Sequence, residues 1–335
     1  MDLAWYALLG LFFAGYLVLA GYDYGVGLLL ARSGGPAGRR EALTALGPFF
    51  LGNEVWLVAA MGILFGAFPV LEGELLSGCY PAVAGALVGV ILVTAGVQLR
   101  SRPTDERIRA RWDRVVMIGS ALAALGWGVV LAALLQGVPL QADGHVAGVS
   151  HLATPFAAAA GLAMVTLVAV HGATFLTLRL SADAAAVVGR TARRLVPVAL
   201  TAVALATIVG LLSSRVRDAV QRPAVAVLLP VLLAAALLAA RAALAWRRPG
   251  WALVATGASL ALPVALVGAA LWPYVLVSTT DPSASLAVAD AAASAPTLRL
   301  LGWLTLPLLP VLLGFQAMCW WVFRGRTDGR APVYW

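Results

Sequence analysis

Two acidic residues, Asp23 and Glu54, interrupt sequence that is otherwise apolar enough to cross a membrane. They lie within residues 19–56, which hold the end of one apolar segment, a short basic loop and the start of another. A carboxylate in hydrocarbon costs at least about 2.5–3.5 kcal/mol on insertion scales, so such residues usually face a bundle interior and mark ion or proton routes. The pair is therefore either a proton relay or counter-ion in a polar interior, or a hydrogen-bonded packing pair.

Small and polar residues surround both acids. Gly21 and Gly25 flank Asp23 and allow another helix to approach closely, while Asn53 and Trp56 add polar groups within one turn of Glu54. We predict that Asp23, Asn53 and Glu54 line a polar interior.

Histidine and cysteine, which would hold haem or a transition metal, are scarce. His171 stands in an apolar segment with no second histidine or cysteine three or four residues away, and His145 and His151 fall in a loop. Cys79 and Cys319 are far apart in the sequence and form no CxxC motif. We expect no metal or haem bound by this chain alone, and a hydrogen-bonded packing role for His171.

The composition predicts an all-α polytopic membrane protein. Of 335 residues, 62% are hydrophobic and 11% are charged, and the mean hydropathy is +0.93. Apolar stretches of about 20 residues are typical of transmembrane helices. Nine such helices are predicted, at residues 3–31, 46–71, 75–99, 113–136, 153–178, 193–213, 223–245, 250–277 and 298–323.

The basic residues predict how the chain is oriented. The net charge of +8 comes from arginines in short loops, a distribution that argues against nucleic-acid binding. Most follow the first, third, fifth and seventh spans or lie in the C-terminal tail, whereas the other side holds Arg215, Arg217, Arg222 and Arg299. The excess of positive charge marks the cytoplasmic side. We therefore expect the N-terminus outside, with the first span retained rather than cleaved as a signal peptide, and the C-terminus in the cytoplasm.

Tryptophans and long loops add two further expectations. Two outward loops, at 136–151 and 277–296, are long enough to be functional or to dock a partner.

Trp56, Trp127 and Trp303 are expected to pack inside. Tryptophans near span ends are expected to anchor the membrane interface, namely Trp5, Trp112, Trp251, Trp272, Trp320, Trp321 and Trp335.

Several motifs together resemble subunit II of cytochrome bd quinol oxidase. They are GYDYGVGLLL (21–30), GPFFLGNEVWLVAAMGILFGAFPVL (47–71), SGCY (77–80), LLQGVPL (134–140), HGATFLTLR (171–179), WPYVLVST (272–279) and the final span with its GFQAMCWWVFRGR end. They cover nearly all nine spans in order. The motif and packing residues carried over are Gly21, Gly25, Gly52, Trp56, Gln136, Gly137, Pro139 and Gly172.

The resemblance implies a single membrane domain over 1–335. Residues 1–136 and 153–277 would form two four-helix bundles, and 298–323 a peripheral ninth helix. It implies a haem-free subunit that stabilises a partner, subunit I, which holds haems b and d, oxidises quinol and reduces oxygen to water. The complex would lie in a prokaryotic cytoplasmic (inner) membrane, with membrane lipid, a structural quinone and small single-span accessory subunits as further partners.

The chain departs from that family where its proton route is expected. Relatives carry an acid at the position of Ala20, and a Trp-Asp pair where this chain has Phe50 and Leu51. That Asp belongs to a proton route in well-known members. Three alternatives stay open: the route runs through subunit I, Asp23 and Glu54 substitute, or the chain is a divergent paralogue with a specialised oxidation. A secondary transporter is a further alternative, although no inverted repeat is visible.

Overall fold

The computed structural model describes residues 1–327, so the predicted interfacial Trp335 lies outside the described residues. Within this range the fold is built almost entirely of helices. They are α1 (Asp2–Leu29), α2 (Gly35–Leu46), α3 (Phe50–Ala67), α4 (Pro69–Gly78), α5 (Tyr80–Arg100), α6 (Glu106–Leu135), α7 (Pro155–Arg179), α8 (Ala182–Leu212), α9 (Ser214–Ala219), α10 (Pro223–Ala245), α11 (Pro249–Ala270), α12 (Val288–Ala291) and α13 (Ala295–Val322).

Nine of these helices, in the described part of the chain, are long and apolar enough to cross a membrane. They are α1, α3, α5, α6, α7, α8, α10, α11 and α13, which confirms the predicted number and class. Several bounds differ from the predicted ones, and two of these differences have a local cause. The second span breaks at Phe68, because Pro69 starts a separate helix and donates no backbone hydrogen bond. The eighth span ends at Ala270, and the chain continues into a strand rather than a helix.

Helix α1 occupies the centre of the packing. It contacts α3, α6, α7 and α11, while α5–α6, α7–α8 and α10–α11 pack as sequential pairs. The last helix, α13, packs mainly on α3. The division into bundles at 1–136 and 153–277, and the orientation of the termini, stay predictions.

Glycines allow the closest helix crossing. A Cβ atom on Gly25 of α1 would lie 2.0 Å from the backbone oxygen of Val168, and one on Gly172 of α7 would lie 2.3 Å from the carbonyl carbon of Gly25. Real Cβ atoms do not approach so closely, so the two backbones meet only because both residues lack a side chain. The crossing fixes α1 against α7 beside Asp23.

The two long loops that were predicted to face outward pack against each other. Strand β1 (Tyr274–Leu276) pairs antiparallel with β2 (Leu286–Ala287), placing Tyr274 opposite Ala287. The Val138 amide donates to the Val277 carbonyl at 2.9 Å, and the Thr279 amide donates to the Val138 carbonyl at 2.9 Å. The loops therefore form one layer over the ends of the helices.

An ion cluster at the other end of the molecule differs from expectation. Arg100 and Asp113 lie at span ends that are predicted to be cytoplasmic, where the default expectation is an exposed surface ion pair. Both are buried, with 4% and 7% of their side chains exposed, and Arg39 also donates to Asp113 at 2.7 Å. The pair is covered because Arg39, beyond the first span, folds back over it. The cluster ties α5, α6 and α2 together.

Two tryptophans differ from the prediction in whether they are buried or exposed. Trp303 was expected to pack inside, and that was wrong: 81% of it is exposed. It lies on α13, whose main neighbour is α3, so most of the surface of this helix is left uncovered by residues 1–327. Trp5, expected at the interface, is instead buried in the core. Trp56 and Trp127 are buried, as expected.

Candidate polar site between helices α1, α3 and α13

Asp23 and Asn53 form the centre of a buried polar site. The Nδ2 atom of Asn53 donates to both carboxylate oxygens of Asp23, at 3.2 and 2.9 Å. Only 3% of Asp23 and none of Asn53 is exposed. The predicted neighbours therefore do meet, across two helices that pack side by side.

Tyr22 and Gln316 extend this site to a third helix. The Tyr22 hydroxyl lies 2.8 Å from Nδ2 and 3.0 Å from Oδ1 of Asn53, and Gln316 of α13 donates to Oδ1 at 3.3 Å. Neither residue was singled out from the sequence. An amide within the apolar stretch GFQAM of the last span was the available signal for Gln316, because an amide in a membrane span usually needs a partner.

Glu54 points away from Asp23. It is the next residue after Asn53, and successive side chains on a helix differ in direction by about 100°. Its Oε1 accepts a hydrogen bond from the Thr94 hydroxyl of α5, and its side chain stays partly exposed. Asp23 and Glu54 therefore have different hydrogen-bond partners, Asn53 on α3 and Thr94 on α5, and no hydrogen bond joins the two acids in the described part of the chain.

Aromatic rings cover the Asp23–Asn53 site at the end where α3 begins. Tyr22 stacks on Phe175 with ring centroids 4.4 Å apart and planes within 5°. Phe49 contacts Trp320 at 4.9 Å, and the Arg179 guanidinium lies 5.1 Å above the Phe49 ring. These rings exclude water from the Asp23 side chain and place one cation at the boundary.

The predicted packing residues near the site each face a neighbouring helix. A Cβ on Gly21 would lie 2.7 Å from the Leu260 side chain of α11, and one on Gly52 would lie 3.3 Å from Phe315 of α13. Trp56 lies over Gly15, where a Cβ would be 2.3 Å from the indole. These positions let α1 and α3 approach their neighbours around the polar groups.

The three positions that were predicted to depart from the family pattern lie in different surroundings. Ala20 and Phe50 are buried, with 1% of each exposed. Leu51 is 50% exposed on α3, in line with Val55 and Val58. Position 51 therefore lies on the outer face of this chain, not beside Asp23.

The Gln136–Gly137–Pro139 motif belongs to a separate, structural region. Gln136 Nε2 donates to the His151 carbonyl at 2.6 Å, and Gly137 has a left-handed backbone with φ 78°. The carbonyl of Pro139 accepts from the Ala147 amide at 2.8 Å. Because α6 runs antiparallel to α1, these residues lie at the opposite end of the molecule from Asp23.

His171 is not available as a metal ligand. Its Nε2 lies 2.9 Å from the Val18 carbonyl oxygen and its Nδ1 lies 2.7 Å from the Thr256 hydroxyl. The carbonyl can only accept, so Nε2 carries a proton and both nitrogens are used. No group of three or more histidine, cysteine or acidic side chains able to hold a metal occurs in the described residues.

Comparison with known proteins decides the family. The family model for cytochrome bd terminal oxidase subunit II matches residues 1–323. The chain belongs to this family. It is 34% identical over 181 residues to cytochrome bd-I ubiquinol oxidase subunit 2 of Escherichia coli K12, covering 52% of this chain and 48% of the relative.

Two further similarities agree with this membership. Cytochrome bd ubiquinol oxidase subunit 2 of Bacillus subtilis 168 is 33% identical over 183 residues, covering 53% of this chain and 54% of the relative. The matches thus span about half the length of these curated relatives. The solved bd oxidase of Geobacillus thermodenitrificans shares the fold, with a TM-score of 0.73 at 18% identity, covering 96% of this chain and 98% of that one. The chain is a multi-pass protein of a bacterial inner membrane.

Proposed function

We propose that the chain is the haem-free subunit II of a quinol:oxygen oxidoreductase, stabilising a haem-bearing subunit I and contributing to proton delivery. Family membership over 1–323 supports the pairing. In the assembled complex the partner's haems would carry electrons from quinol to oxygen. The residues of this chain would hold the partner and move or hold protons.

The observation that carries this proposal is the partly exposed Glu54 on an apolar helix face. Leu51, Val55 and Val58 on the same side of α3 are 50%, 44% and 70% exposed. A carboxylate facing lipid at this depth is costly, and Thr94 is its only hydrogen-bond partner in the described part of the chain. A partner subunit that covers this face would shield Glu54 and bring its carboxylate to the interface.

The depth of both acids suits a route from the cytoplasm. Asp23 lies six residues before the end of α1 and Glu54 lies in the first turns of α3, both at the end predicted to be cytoplasmic. At 1.5 Å of rise per residue, Asp23 is about 9 Å from that end of its helix. Hydrocarbon blocks protons, so inward delivery needs titratable or hydroxyl groups within this layer. Glu54 with Thr94 supplies such groups at the surface, and Asp23 supplies a buried carboxylate.

A large apolar cavity suits a structural quinone or lipid. It has a volume of about 880 Å³ and lies between α1, α3, α4, α6 and α11. Trp272 and Arg222 lie at its outer end, with the guanidinium 6.0 Å above the indole ring. Its walls are mainly aliphatic, so it fits an isoprenoid or acyl chain, with Arg222 placed near a polar head.

Co-purification tests the proposed function. The full chain, tagged and expressed in its own membrane context, is purified in mild detergent, and the visible spectrum is measured before and after reduction. We expect a haem-bearing membrane subunit in equal amount and quinol-driven oxygen consumption. Purification without any haem protein would contradict the oxidase assignment. Haems without quinol oxidase activity would favour the specialised paralogue.

A further inference from the structure

The layer of outward loops encloses a polar pocket remote from Asp23. Its volume is about 610 Å³, within the range of small-ligand sites. The wall combines residues from the 136–151 loop, α9 and the strand region, among them His151, Arg215, Asp218, Gln221 and Ser285. Segments distant in sequence thus converge on one cavity.

His151 is a buried side chain without a partner. Only 2% of it is exposed, and both ring nitrogens lack a hydrogen-bond partner among the described residues. Burial, and then the positive charge of Arg215, lower the pKa of His151, so the ring is neutral at neutral pH. A neutral imidazole offers one donor and one acceptor. Leaving both unused in a buried position costs free energy that a bound group would recover.

Two side chains of opposite charge on α9 also have no ion-pair partner in the described part of the chain and are available to a ligand. Arg215 and Asp218 both line the pocket and form no ion pair with each other or with other described residues. The Ser285 hydroxyl accepts from the Ser278 amide at 3.0 Å, so its proton is free to be donated. The pocket therefore presents a cation, an anion and neutral donors together. That combination matches a zwitterion better than a simple anion.

We propose that this outer pocket binds a phosphoethanolamine group, with Arg215 and His151 on the phosphate and Asp218 on the primary ammonium. Arg215 is suited to phosphate because guanidinium forms paired, charge-assisted hydrogen bonds with its oxygens. The pocket lies near the start of α7 and the ends of α8 and α11, where these apolar helices give way to the loop layer. The apolar cavity of about 130 Å³ on the other side of α9, at Val216, leaves room for hydrocarbon beneath it. The group could be carried by a phosphatidylethanolamine or by a soluble glycerophosphoester.

Lipid binding to the intact complex tests this site. The full chain with its co-purifying partner is stripped of lipid in detergent and titrated with dioleoyl phosphatidylethanolamine, phosphatidylcholine or phosphatidylglycerol, and bound lipid is counted by native mass spectrometry. We expect one saturable phosphatidylethanolamine per chain, bound more tightly than the other two. A parallel titration with glycerophosphoethanolamine separates the two sources: displacement by it identifies headgroup binding alone, and failure to displace identifies the lipid.

Matched variants separate the pocket from the rest of the outer face. Arg215→Gln should weaken binding of phosphatidylethanolamine by about tenfold or more. Asp218→Asn should remove the preference over phosphatidylglycerol, and His151→Leu should weaken binding of each lipid. Arg299→Gln and Asp290→Asn make the same charge changes at exposed outward positions outside the pocket wall and should bind as wild type.

Three results would overturn the assignment. They are the absence of saturable binding by both phosphatidylethanolamine and glycerophosphoethanolamine, equal binding of phosphatidylethanolamine and phosphatidylglycerol by wild type, or pocket variants that behave like the two controls. Arg215 and Asp218 are exposed, so their variants test the site even if His151→Leu fails to fold.

Discussion

Asn53 and Asp23 join two helices through a single donor, because both carboxylate oxygens of Asp23 accept from the same amide nitrogen. Replacing Asn53 with leucine would leave Asp23 buried without a donor in the described part of the chain. We expect Asn53→Leu to lower the free energy of unfolding by about 1–3 kcal/mol. Adding Asp23→Leu should restore part of this loss, as measured by a double-mutant cycle of thermal unfolding in detergent. Additive effects of the two substitutions would show that the pair is not coupled.

The contact between Gly25 and Gly172 predicts a strict size limit. Gly172→Ala would place a methyl group 2.3 Å from backbone of α1, so the helices must separate. We expect a loss of stability of about 1–3 kcal/mol. Gly62→Ala is the matched control, since no atom of the described residues, apart from the nearby backbone of its own helix, lies within 4 Å of its Cβ position. Equal unfolding temperatures for these two variants would contradict the close crossing of α1 and α7.

His145 and Glu74 predict a pH-dependent contact between the 136–151 loop and α4. The hydrogen bond to Glu74, at 2.9 Å, raises the pKa of His145 above its usual value. A raised folded-state pKa means that the contact stabilises fully below the ordinary pKa of about 6.5 and is lost as pH rises through the folded value.

Hydrogen exchange of the Val146 amide reports this contact, because that amide donates to the same carboxylate at 2.8 Å. We expect its protection, corrected for intrinsic exchange, to fall as pH rises through the folded pKa in wild type. The His145→Gln variant should lack this dependence. The same pH profile in both proteins would show that His145 does not hold the loop.

Asp113 predicts a large effect at the ion cluster. Asp113→Asn would leave the buried Arg100 guanidinium without its carboxylate and release Arg39. Breaking a buried pair on one side costs about 3–5 kcal/mol. Glu106→Gln is the control, because its pair with Arg109 is exposed and worth about 0–1 kcal/mol. Denaturant unfolding that gives similar losses for both variants would place Asp113 in a solvated environment.

The sequence predicted the class of fold well because membrane helices can be recognised from their length and their apolar composition. Nine spans followed from hydropathy alone, although the second was predicted to continue through Pro69, where a separate helix begins. Side-chain direction was harder to predict, because single sequences do not specify how helices rotate against each other. Asp23 and Glu54 looked like one pair along the chain, yet Asp23 is bonded to Asn53 and Glu54 is bonded to Thr94 of α5.

The prediction was also limited because a single sequence does not show which distant residues or subunits pack against a given side chain. Trp303 looked interior by depth, but depth in a membrane does not distinguish a buried face from one covered by lipid or another subunit. Gln316 and Arg39 come from distant parts of the chain, and only the folded arrangement places them beside Asn53 and Asp113. The polar site was therefore predictable in its acids and Asn53, and not in the residues that close it.

Oxygen consumption by the purified complex tests the role of Glu54 most directly. Glu54→Gln keeps the size and the ability to accept a hydrogen bond from Thr94, but cannot carry a proton as a carboxylate does. With quinol as donor, we expect turnover to fall by about tenfold or more while haem content and subunit ratio stay unchanged. Glu72→Gln, on α4 towards the opposite end, should turn over as wild type. Wild-type turnover in Glu54→Gln would remove this residue from the proton route and contradict the proposed role of the α3 face.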